Sequence, residues 1–251
     1  MDLGVSEADE EEDLRRLEEE LLEGEEAPAE DSKEEQPQEP PPAVEDKDPA
    51  IAEEERVKAL FRGARFNLIP SFFKTLSFLR KAKREFAIVF RTFGGDLEDV
   101  VLEFNRFCEG KHPCFNGKGG NPLVRFDGNK GSKDYRIQAF NRGLFYRSGG
   151  DANYPATLVM GTLDRCKSGE DMHEYYSSRL EEGELYMTSD DPCEILVRLQ
   201  ETLQQTCAIA IQDDYRTWEQ AGEASEAAKP MYLDPSDHHT QHIFFDDNAD
   251  P

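Results

Sequence analysis

FAIVFRTFGGD, Phe86 to Asp96, is the stretch on which the reading of the fold turns. Phe86-Ala87-Ile88-Val89-Phe90 is too short for a free-standing helix and lacks the polar alternation of a half-exposed strand. It predicts a strand buried on both faces, the kind found in parallel sheets. Arg91, Thr92, Phe93 and Gly94-Gly95 then make a tight loop, and Asp96 is placed to N-cap a helix running to about Cys108. In open α/β sheets ligands bind outside the carboxyl ends of strands, and Thr92 falls there.

Working outward, Leu97, Val100, Val101, Phe104 and Phe107 recur at helical spacing after Asp96, and Gly110 closes that helix. Before the strand, order is expected from near Arg56, with a short helix through Val57, Leu60 and Phe61. Pro70 then opens a second helix with Phe72, Phe73, Leu76 and Leu79 on one face. That helix ends in Arg80, Lys81, Lys83 and Arg84, cations that could bind phosphate or simply complement the negative end of a helix dipole.

From Lys111 to about Asp190 glycines and short β-like runs dominate: Pro122 to Phe126, Leu144 to Tyr146, Thr157 to Met160 and Leu185 to Met187. They predict a β-rich insertion at about 111–190. Asp191-Pro192 is an N-cap and first-turn pair for a helix with Ile195, Leu196, Leu199 and Leu203 as its buried stripe. Two more strands are expected, Cys207 to Ile211 running into Asp213-Asp214 and Ile243 to Phe245 running into Asp246-Asp247. A helix with Trp218, the Lys229-Pro230 pair and a short strand at Met231 to Leu233 lie between them. The fold class is therefore α/β, a Rossmann-like and mostly parallel sheet flanked by helices.

Charge divides the chain. Residues 1–55 hold 24 acidic and 4 basic residues, a net of −20 out of −25 for the whole chain. With the cluster Pro40-Pro41-Pro42 and no aromatic residue, they read as a disordered acidic tail, leaving 56–251 as the folded domain. Within the tail, Leu14, Leu17, Leu21 and Leu22 have helical spacing, which offers a transient, coiled-coil-like docking helix between Asp13 and Glu23 or a merely solubilising segment. The rest is only mildly acidic, so charge gives no case for nucleic acid and none against a phosphorylated ligand. No signal-peptide pattern and no apolar run of about 18 residues is present, so the expectation is a cytoplasmic protein without membrane contact. Five cysteines without a CxxC pair suit free thiols.

Paired carboxylates at the end of a buried strand repel one another unless neutralised, and Mg²⁺ does that with oxygen ligands. Asp246 and Asp247 are the leading metal candidates on that ground, against the alternative of an acidic turn. His238, His239 and His242 with Asp234, and Cys108 with His112 and Cys114, are weaker clusters because each lacks a convincing ligand set.

A strand ending in Thr92 and a later strand ending in Asp246-Asp247 resemble the second and fourth motifs of the haloacid dehalogenase-like (HAD-like) superfamily, and Lys229 resembles the third. The resemblance implies a Rossmann-like sheet and Mg²⁺-dependent phosphoryl transfer through an aspartyl-phosphate. Thr92 would bond a phosphoryl oxygen, Lys229 would offset charge, and Asp246 and Asp247 would hold Mg²⁺. The first motif, an Asp-x-Asp after a strand upstream of Thr92, is not found in residues 1–85, and the chain ends soon after Asp247. The expectation is thus an incomplete or degenerate relative of Mg²⁺-dependent phosphatases and phosphotransferases, a fragment or a truncated product. Its partner would be a phosphorylated small molecule or a protein. The alternative is a non-enzymatic interaction module whose acidic tail docks on a partner.

Overall fold

The computed structural model describes residues 49–62, 66–167 and 170–245. The chain divides into two units, Met1–Asp46 and Lys47–Pro251, and all described residues lie in the second. The tail, including the leucine segment at 13–23, lies outside the described residues.

Helix α1 (Pro49–Leu60) starts before the expected boundary near Arg56, and α2 (Pro70–Lys81) carries Pro70 in its first turn. Pro fits there because the N–H it lacks would have had no intrahelical partner. Strand β1 (Ile88–Thr92) leads into α3 (Leu97–Cys108), which begins after Asp96 and is followed by Gly110 at φ 69°, a left-handed stop that glycine takes without strain. Asp96 occupies the N-cap position but makes no side-chain capping bond. Next come β2 (Arg142–Tyr146), β3 (Thr157–Met160), α4 (Met172–Glu181), β4 (Met187–Ser189), α5 (Pro192–Thr206), β5 (Ala208–Gln212) and α6 (Tyr215–Gln220). Asp191 caps α5 by accepting from the N–H groups of Cys193 and Glu194, as its pairing with Pro192 predicts.

One five-stranded mixed sheet runs in the order β1-β5-β2-β3-β4. Its first three strands are parallel, while β3 and β4 join antiparallel. The sheet is therefore α/β and flanked by helices, and parallel only in part. The glycine-rich stretch supplies three of the five strands, so it completes the sheet instead of standing apart from it. Its run at Pro122 to Phe126 forms only an isolated bridge, Leu123 with Asn116.

The side-chain alternation of β5 divides the core into two faces. Ala208 and Ala210 face a cluster with Phe73 and Leu76 of α2 and Leu97, Val101, Phe104 and Phe107 of α3. Two alanines on the strand leave room for that layer of phenylalanines, with the Phe73 and Phe107 ring centroids 4.4 Å apart. Ile209 and Ile211 face the other way, onto Ile195, Leu199 and Leu203 of α5. On the first face, farther along the sheet, Leu144, Tyr146 and Val159 pack on Tyr176 of α4. Gly143 of β2 has no room for a side chain, because a Cβ there would lie 2.3 Å from the carbonyl oxygen of Val159.

Three expectations need correction. First, β1 is an edge strand, and Val89 is 46% exposed where a strand buried on both faces was expected. The second concerns Ile243 to Phe245, which form no strand and are 65%, 62% and 87% exposed. A three-residue apolar run cannot hold an extended ladder without a neighbour, and none of the five strands pairs with it. Met231 to Leu233 likewise form no strand; Tyr232 instead stacks on Phe145, centroids 5.9 Å apart. Among the described residues, no helix is long and apolar enough to cross a membrane.

Candidate functional site

Because β1, β5 and β2 are parallel, their carboxyl ends share one edge of the sheet. Thr92, Gln212 and Tyr146 end these strands, and the chain turns into α3, α6 and a glycine-containing loop. The Thr92 carbonyl ties two ends together, accepting from the Asp213 N–H and from Gln212 Nε2, both at 2.7 Å. Thr92 Oγ1 accepts from the Gly94 N–H at 2.8 Å, which shapes the turn into α3.

Asp213, just past β5, is buried, and its carboxylate accepts from Arg91 Nε at 2.9 Å and from Arg91 Nη2. Burial pushes the Asp213 carboxyl above its ordinary value, while Arg91, and at longer range Lys229 and Arg147, pull it back. The Arg91 guanidinium also lies over the Phe145 ring, 5.0 Å from the centroid, and donates to the Pro230 carbonyl at 3.0 Å. Asp214 caps α6, accepting from the N–H and hydroxyl of Thr217, and also accepts from the Arg147 N–H at 3.0 Å. The buried Arg147 side chain donates to the carbonyls of Glu226, Ala227 and Ala228. Lys229 Nζ stands 5.1 Å from the centroid of Phe93, whose ring is stacked on Trp218 at 4.7 Å.

Beside this network an open cleft of about 270 Å³ is lined by Gly95, Leu97, Glu98, Leu163, Arg165 and Gln212. Arg165 is exposed and donates through Nη2 to the Asp213 carbonyl at 3.3 Å. Of its five N–H groups, that is the single one engaged among the described residues. In the first turn of α3, which borders the same space, the Asp99 N–H donates back to the Asp96 carbonyl at 2.9 Å, while the N–H groups of Leu97 and Glu98 have no intrahelical acceptor. Glu98 is the acidic member of the lining, and Arg56 lies 2.8 Å from its carboxylate.

No family model, curated protein or solved structure matches this chain.

Of the residues expected from sequence, the fold brings Thr92 and Lys229 to the same edge, through the loop that holds Phe93. Asp246 and Asp247 lie outside the described residues. Among the described residues no group of three or more His, Cys, Asp or Glu side chains could hold a metal ion. The carboxylates of Asp213 and Asp214 at this edge are taken by a guanidinium, N–H groups and a hydroxyl. The histidine cluster is exposed, with Asp237 capping the turn at His239 and Thr240. Cys108 is buried in the α3 face, where burial raises its thiol pKa well above the ordinary value, and all five cysteines are free.

Arg91, Arg147, Arg165, Gln212 and Asp213 were not picked out as a site by sequence. One local signal existed for Arg91, a cation inside the carboxyl end of an apolar strand. Arg147 and Arg165 reach the edge only through tertiary structure.

Proposed function

We propose that this α/β domain binds a small phosphate ester in the cleft at the carboxyl ends of β1 and β5. In this reading it is a catalytically incomplete relative of HAD-like phosphohydrolases. The observation that carries the reading is Arg165, an exposed guanidinium with unused donors beside the first turn of α3. A phosphoryl group placed there meets a planar charged donor and backbone N–H groups together, the combination that recognises phosphate in water. Lys229 adds a cation at this edge, where Arg91 is paired with Asp213 and Arg147 with backbone carbonyls, and Glu98 is offset by Arg56. The cleft, at about 270 Å³, suits an ester of a few carbons.

In this reading the residues bind and orient without hydrolysing. Asp213, the buried carboxylate at this edge, is held by Arg91 and is not placed to attack phosphorus. Lys229 stands over the Phe93 ring and contributes through its position at this edge.

Thermal denaturation of the full chain with glycerol phosphate, and with sodium sulfate at equal ionic strength, tests the proposal. A ligand that binds the folded state alone raises stability by about 2.7 kcal/mol at a hundredfold excess over Kd. The phosphate ester should raise Tm more than sulfate does, and Arg165→Ala should remove the difference without lowering the basal Tm. Equal shifts in the original chain and in Arg165→Ala would refute it.

A further inference from the structure

The outer edge of β1 and the run Ile243 to Phe245 are complementary features that one copy of the chain leaves apart. β1 stands at the end of the sheet order, with β5 on one side of it. The Ile88 N–H donates to the Cys207 carbonyl and the Thr92 carbonyl accepts from the Asp213 N–H, so in this parallel ladder Ile88, Phe90 and Thr92 turn their backbone groups toward β5. Those of Val89 and Arg91 point outward, and among the described residues they meet no backbone partner. β1 reads IVFRT, with no proline, lysine or glycine to blunt that edge, and the Val89 side chain is exposed. Ile243, Phe244 and Phe245 are three consecutive large apolar residues of strand composition, exposed and in no ladder.

We infer that β1 takes Ile243 to Phe245 of a second copy of this chain as an added antiparallel strand, in a reciprocal exchange that makes a two-fold dimer. Within one copy the edge and the run are both exposed, so the chain does not close them on each other. Each copy brings one edge and one run, and exchange about a two-fold axis satisfies both edges and both runs at once. Side-chain alternation sets the register. Phe244 opposite Phe90 extends the aromatic face that Phe90 forms with Phe72 and Phe104, which leaves Phe245 to cover Val89 and Ile243 to lie beside Arg91. In that register the outward groups of Val89 and Arg91 face those of Phe245 and Ile243, as in the hydrogen-bonded pairs of an antiparallel ladder. Charge favours the same direction. It carries the two carboxylates that follow Phe245 in the sequence toward exposed Lys83 and Arg84 at the amino end of β1, where Glu85 is offset by Lys133, whereas the parallel direction carries them toward Asp96 and Glu98.

The test is sedimentation equilibrium of the full chain in about 0.15 M salt, where screening over about 8 Å limits the repulsion between two copies of net charge −25. The chain should dimerise reversibly. The double variant Ile243→Ser/Phe245→Ser, which alters exposed residues alone, should raise the dimer Kd by at least about tenfold. So should Val89→Pro, which removes an outward N–H that the β5 ladder does not use; should that chain fail to fold by circular dichroism, Val89→Lys blocks the same edge. Mixed in equal amounts, the run variant and the edge variant should associate with each other more tightly than either does with itself, because one keeps its edge and the other its run. A monomer at every concentration up to about 1 mM, a dimer indifferent to either variant, or a mixture that associates no better than its components would overturn the inference.

Discussion

Arg91 on β1 and Asp213 just past β5 are 122 residues apart in sequence, yet the guanidinium donates twice to a carboxylate that is 1% exposed. The pair clamps the edge strand to its single neighbour at the end of the sheet where the cleft lies. A buried carboxylate held this way is costly to orphan, because it was taken out of water on the condition that a cation replaces the lost hydration.

Arg91→Ala should accordingly destabilise the domain by about 3–5 kcal/mol, the range for leaving one partner of a buried pair uncompensated. Adding Asp213→Asn to that variant should recover part of the loss, since the orphaned charge goes with it. Urea denaturation of the single and double variants checks this. A loss below about 1 kcal/mol for Arg91→Ala would place the pair with ordinary surface bridges.

Glu103 of α3 is fully buried and accepts the Asn67 N–H at 2.7 Å and the Leu68 N–H at 3.4 Å, with His112 Nε2 also 3.4 Å away. His112 Nδ1 accepts from the Cys114 N–H, so in the neutral ring Nε2 carries the proton and faces Glu103. Glu103→Ala leaves the two backbone donors without an acceptor and should cost at least about 1–3 kcal/mol. Faster amide exchange at Asn67 and Leu68 should accompany the loss. Unchanged exchange there would show that the carboxylate does not hold this segment.

Asp134 gives a pH dependence of definite sign. Partial burial works against its charge, but the guanidinium and N–H of Arg136 hold the carboxyl below its ordinary value. A group with a depressed folded pKa stabilises the fold above its unfolded pKa, and that stability is lost as pH falls toward the folded value. Asp134→Asn should therefore lower Tm slightly at neutral pH and flatten its decline below about pH 4. Parallel Tm profiles for the two proteins would contradict the assignment.

Local order was legible wherever one segment carried its own instructions. Pro70, Asp191-Pro192 and Gly110 mark helix ends through backbone chemistry, and the periodicity of Leu97 to Phe107 names the buried face of α3. The apolar run at Cys207 was likewise readable as a strand. What the sequence did not carry was neighbourhood. The run before Arg91 reads the same whether its strand is central or at an edge, and the exposure of Val89 records which it became. Ile243 to Phe245 have the composition of a strand, yet a strand exists only with a partner. The same limit governs the site: Thr92 drew notice at a strand end and Lys229 through a resemblance, whereas Arg147 and Arg165 stand in irregular segments that only the sheet order brings to this edge.

The most direct measurement of the phosphate-binding claim is an NMR titration of the isotopically labelled full chain with glycerol phosphate. The account predicts saturable shifts in the amides of Gly94, Gly95 and Leu97 and in the Arg165 Nε–H, all absent in Arg165→Ala. Shifts confined to Lys81, Lys83 and Arg84 at the end of α2, or no saturable shift at all, would contradict it.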